Sequence, residues 1–134
     1  MSGPAILVRR IPFAFDEKIN PAWHPRRREW SHMVNGASLA MPYLEPFLIR
    51  TVTEALKLVS KPDLKADVQA FIGQEGVHFQ NHRRYNEILK QSYPELADVE
   101  GELEADYRRF QQCSLRWRLA YTAGFETMTM GMWP

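Results

Sequence analysis

Leu64-Lys65-Ala66-Asp67-Val68-Gln69-Ala70-Phe71-Ile72-Gly73-Gln74-Glu75-Gly76-Val77-His78-Phe79-Gln80-Asn81-His82-Arg83-Arg84-Tyr85-Asn86-Glu87-Ile88-Leu89 is the segment on which the fold turns. Alternating steps of four and three residues pick out Leu64, Val68, Phe71, Glu75, His78, His82, Tyr85 and Leu89. This unbroken heptad seam predicts a long helix with one face against partner helices. The ends of the seam are apolar or aromatic, but its centre holds a carboxylate and two imidazoles. An ionised carboxylate is costly to bury unless it is paired or bound to a metal. Glu75 and His78, three residues apart, lie about 5–6 Å from each other at Cβ on one helix surface. Two such donors can share one cation. The competing assignment is a hydrogen-bonded polar layer within the core.

Upstream, Ser60-Lys61-Pro62-Asp63 forms a short connector, with Pro62 or Asp63 opening the helix just described. A connector this short implies an antiparallel hairpin. Before it, the same four-three alternation runs through Met41, Glu45, Leu48, Val52, Ala55 and Val59. Glu45 is the one acid in that stripe. At about 1.5 Å of rise per residue, Glu45 (about 16 residues before the turn) and Glu75 (about 14 after it) reach nearly the same height. The alternative for Glu45, beside Pro46, is an exposed carboxylate favoured at a helix start. Pro42 and Pro46 predict an interruption, with Ser31 to Ala40 as a short helix and a new helix opening at one of the prolines. Residues 1–29 read as an extended arm, since Pro4, Pro12, Pro21 and Pro25 prevent sustained helix. Ile6-Leu7-Val8 and Ile11 to Phe15 are suited to lie on the bundle, and His24 is expected at the surface. Arg26-Arg27-Arg28 reads as a solvated basic turn, with a phosphate or acidic lipid surface as the other candidate.

Downstream, the chain breaks around Ser92-Tyr93-Pro94. Pro94 to Gln112 resumes as helix, acidic first (Glu95, Glu100, Glu102, Glu104) and basic later (Arg108, Arg109), in the sense the macrodipole favours. Gly101 marks a candidate kink, and this face reads as mostly solvated. Ser114 to Trp133 is more apolar, through Leu115, Leu119, Tyr121, Phe125, Met128 and Met132. Glu126 is the one acid there and needs a partner if it faces inward.

The 134 residues, 45% hydrophobic and 25% charged, describe one ordinary globular domain. A net charge of +1 gives no ground for a nucleic-acid partner. The single Cys113 excludes an internal disulfide framework and a cysteine-based zinc cluster, and a cytoplasmic setting is the default. No apolar run reaches the roughly 18–20 residues of a membrane span.

Ser38-Leu39-Ala40-Met41-Pro42-Tyr43-Leu44-Glu45-Pro46-Phe47-Leu48-Ile49-Arg50 and Phe71-Ile72-Gly73-Gln74-Glu75-Gly76-Val77-His78, continued by His82-Arg83-Arg84-Tyr85-Asn86, give the sequence a likeness. It resembles a bacterial group of predicted metal-dependent hydrolases, ferritin-like in fold, from about Trp30 to Met132. The resemblance implies an all-α, antiparallel helical bundle over residues 30–134, with a mono- or di-metal centre. The matching ligand order is Glu45, then Glu75 with His78, then Glu126. His82 and Tyr85 are assigned to hydrogen-bonding those ligands, with His82 as an extra ligand the alternative. The cofactor this implies is a divalent iron, manganese or zinc ion, and the resemblance names no small-molecule substrate.

Members of that group continue into a further helix with a Glu-Glu-x-x-His-like element. Here histidines occur only at His24, His32, His78 and His82, so the bundle reads as incomplete. Two other functions stay open. One is a non-catalytic helical protein that self-associates, as a homodimer, through an open bundle face. The other is an iron- and dioxygen-dependent oxidase with Tyr43, Tyr85 and Tyr121 as redox neighbours.

Overall fold

The computed structural model describes residues 6–11, 13–15 and 19–132, and it is all-helical. Among the described residues four helices follow in order: α1 (Arg28–Leu56), α2 (Pro62–Ser92), α3 (Leu96–Phe110) and α4 (Leu115–Met132). The first two form the long hairpin that the short connector predicts. Contacts pair residue 45 with 78, 38 with 82 and 86, and 35 with 85, so α1 and α2 run antiparallel. α4 is antiparallel to α1 as well, since Glu54 pairs with Arg118 while the Phe47 ring meets Tyr121. α1 is therefore the central rod. Its Leu44, Phe47 and Leu48 form the core with Tyr107 of α3, and Phe125 and Tyr121 of α4 pack against it. No helix among the described residues is long and apolar enough to cross a membrane.

The interruption expected at Pro42 and Pro46 does not occur: both lie inside the continuous α1. A proline within a helix lacks the N–H that would bond the carbonyl four residues earlier. For Pro42 that carbonyl is Ser38 O, and Asn86 Nδ2 of α2 donates to it at 2.9 Å. The second helix thus supplies the donor that the proline removes. Tertiary packing of the apolar face outweighs the local penalty.

The first turns of α2 differ from the predicted seam. Leu64 is 46% exposed and Leu58, before the connector, is exposed too. They lie at the turn end of the hairpin, where α1 stops at Leu56 and no described segment covers them. α3 starts at Leu96 and continues through Gly101 to Phe110. Ser114 Oγ accepts the Trp117 N–H at 3.3 Å, capping α4.

The arm is tied to the hairpin at several points. His24 is half-buried rather than at the surface, because its Nδ1 accepts the N–H groups of Arg26 and Arg27 ahead of α1. Its own N–H donates to Ser31 Oγ at 2.8 Å. Asn35 Oδ1 accepts both Trp23 Nε1–H and the Tyr85 hydroxyl, while Asn35 Nδ2 donates to Pro21 O. Further up, Val8 lies against Gly73, where a Cβ would come within 3.0 Å of Val8 Cγ2. Arg26, Arg27 and Arg28 are exposed. Pro4, Pro12 and Trp133 fall outside the described residues, as does the Met132 side chain.

Candidate metal centre

Glu45 sits midway along α1, on the face turned to α2, and is 2% exposed. His78 Nδ1 faces Glu45 Oε1 at 3.0 Å and Glu75 Oε2 at 3.7 Å. The two acids do meet at one height, as the residue count from the turn requires. Glu45, His78 and His82 each bring a donor atom into a group within 4.8 Å. One helical turn after His78, His82 Nε2 lies 3.0 Å from His78 Nε2. Glu75, half-buried, stands beside the group, and Glu126 approaches from α4 closely enough for its charge to act on Glu45.

The hydrogen bonds fix the protonation of both rings. Ser38 Oγ–H donates to Asn86 Oδ1 at 2.7 Å, so its oxygen accepts from His82 Nδ1–H at 2.8 Å. His82 therefore keeps a lone pair on Nε2, which faces His78. Burial first, and then the charge of His78, push His82 down to about 4, so it is neutral at ordinary pH. His78 is the opposite case. Hydrogen bonding to Glu45, then to Glu75, raises it to about 10, and it carries a proton on each nitrogen.

Glu45 is under strain of a different kind. Desolvation lifts its carboxyl from 4.5 to about 7, although the His78 contact pulls the other way. Its second oxygen, Oε2, is buried with no hydrogen-bond partner among the described residues. Burial and the charge of Glu75 likewise raise Glu126. Three carboxyl groups thus act on one charged imidazole, and Glu45 and Glu126 are held toward their protonated forms, which a divalent cation would reverse.

Sequence reasoning missed Ser38, Asn86 and Glu100. Glu100, read as solvated, is buried: Lys90 Nζ bonds its Oε2 at 2.6 Å and Asn86 Nδ2 reaches Oε1 at 3.4 Å. A chain of polar contacts runs from Glu100 through Asn86 and Ser38 to His82. The available signal was spacing, because His78, His82 and Asn86 recur every four residues on one side of α2. Tyr85 lines the space beside the two histidines, but its hydroxyl is committed to Asn35. The Tyr121 hydroxyl pairs with that of Tyr107 at 2.9 Å.

Among the described residues, an all-helical bundle carries a carboxylate–histidine group between its two longest helices whose donor atoms lie close enough to share a metal ion. The family model for predicted metal-dependent hydrolases matches residues 7–133, and the chain belongs to that family. No curated protein and no solved structure matches it.

Proposed function

We propose that Glu45, His78 and His82 hold a divalent cation, and that the protein is a hydrolase acting at this site. The observation that carries this is the buried, unpartnered Glu45 Oε2 beside two imidazoles, one of which is held as a neutral donor by Ser38. Such an acceptor costs stability in the empty protein and is satisfied by a cation. The nitrogen and oxygen donors suit iron, manganese or zinc. One close-set group favours a single cation, with Glu75 and Glu126 as flanking carboxylates that could complete its shell or support a second. The helical setting and the Glu-x-x-His pair on α2 support a ferritin-like ancestry.

A divalent cation bound there would supply a polarising charge and a water with its pKa lowered toward about 7. The chain's own groups do the rest. Ser38 and Asn86 hold the His82 ring in one tautomer and orientation. Glu45 keeps the His78 ring aligned through Nδ1. Glu75 Oε2, close to that nitrogen, is placed to take a proton from an attacking water. The large apolar side chains of α4 that are exposed, Trp117, Met128 and Met130, support a second role for that helix in pairing two copies.

The test is hydrolysis of a panel of neutral esters and amides by protein reconstituted with manganese, iron or zinc. Activity that chelator abolishes, and that is lost together with the metal in His82→Ala, supports the proposal. Hydrolysis indifferent to chelator contradicts it.

A further inference from the structure

Between the arm and the hairpin lies a cavity of about 620 Å³, within the range of small-molecule sites. Its floor is Ser38, His78 and His82, and its walls come mainly from Phe13, Phe15, Trp23, Ile19, Val34 and Tyr85. The His78 side chain is 53% exposed, the most accessible of the proposed donors. Among the described residues no Lys, Arg, Asp or Glu lines the cavity. The described walls are apolar or aromatic, and contact with them favours an uncharged body over a charged one.

We propose that this cavity is the substrate site, and that the substrate is a neutral ester or amide with an aromatic or bulky alkyl body. This rests on the hydrolase reading above for the bond that is cleaved. The polar groups gather at one end, so the apolar body packs against the arm and the hydrolysable carbonyl points to His78 and His82. Aromatic walls suit a flat ring, stacked or edge-on. The arm makes up one side of the site, and it is seated where Gly73 lets Val8 approach α2. A larger side chain at position 73 lifts the arm and opens that side without touching the histidines.

The experiment titrates the full chain with 1-naphthol, and separately with 1-naphthyl phosphate, by calorimetry, in chelator and with added manganese. Saturable naphthol binding in both conditions is expected, about tenfold weaker in Phe15→Ala and Gly73→Leu. Val34→Trp, which fills the cavity, abolishes it. Melting curves confirm that each variant is folded. In chelator, naphthyl phosphate binds more weakly than naphthol. Failure of naphthol to saturate, or equal affinity in all three variants, overturns the proposal, as does tighter binding of the phosphate in chelator. Naphthol binding without any uptake of manganese removes the metal reading and leaves the cavity standing. Manganese uptake with no naphthol binding removes the cavity proposal alone.

Discussion

Replacing Glu45 by methionine makes the metal-free protein more stable while removing a proposed ligand. Glu45 is 2% exposed, and burial carries its carboxyl from 4.5 to about 7. The unfolded chain ionises freely at neutral pH, so folding around this group costs on the order of 3 kcal/mol. Methionine has similar length and adaptable packing, and it removes that cost. His78 then loses the carboxylate that its Nδ1 faces at 3.0 Å. The raised value of Glu45 already includes the pull of that ring, so the loss of the pair is contained in the same figure. The net gain is about 3 kcal/mol at pH 7, several degrees in Tm. The sign with pH follows from the raised carboxyl. Its stabilising contribution is complete below 4.5 and lost as pH rises through about 7. The advantage of Glu45→Met therefore disappears near pH 4.5 and is largest at neutral pH. Thermal melts by circular dichroism in chelator, from pH 4.5 to 7.5, measure it. A variant that melts several degrees below the parent at pH 7 would refute the reasoning, because Glu45 would then be a stabilising member of a polar layer.

Three further outcomes follow from the same geometry. In metal-free protein, nitrogen-detected NMR finds His78 protonated up to about pH 10 and His82 neutral down to about pH 4. The raised His78 gives stability that is full below 6.5 and lost as pH climbs through about 10; an ordinary midpoint for His78 contradicts its assigned hydrogen bonds, and one for His82 contradicts its burial beside a charged ring. Ser38→Ala releases the His82 ring, lowering metal affinity by roughly 10–100-fold in calorimetry. It also costs about 1–2 kcal/mol in denaturant unfolding, since Asn86 loses a buried partner. Asn86→Leu costs roughly 2–4 kcal/mol in the parent but measurably less in a Pro42→Ala background, where the helix itself supplies a donor for Ser38 O.

The hairpin was legible in the sequence because two heptad stripes flank a four-residue connector, and the matching height of Glu45 and Glu75 follows from counting rise. Equally legible was the polar centre of the seam, since charge on an apolar stripe is conspicuous. The continuity of α1 was not. Pro42 reads locally as a helix breaker, and the side chain that compensates for it, Asn86, lies 44 residues further along the chain. The burial of Glu100 was hidden for a related reason: its partners Lys90 and Asn86 come from another helix, while its neighbours in α3 are acidic and solvated. His82 shows a third limit. Spacing placed it beside His78, but only the Ser38 contact reveals which nitrogen is free. Leu64 illustrates the reverse error, because periodicity predicts a face but not whether anything lies opposite it.

The most direct measurement is elemental analysis of protein purified without chelator, or reconstituted with manganese, iron or zinc and then desalted. Close to one divalent ion per chain is expected in the parent protein, with little retained by His78→Ala or His82→Ala variants that melt cooperatively. Parent protein that takes up none of the three metals, or variants that retain as much as the parent, would contradict the proposal that these side chains form a cation site.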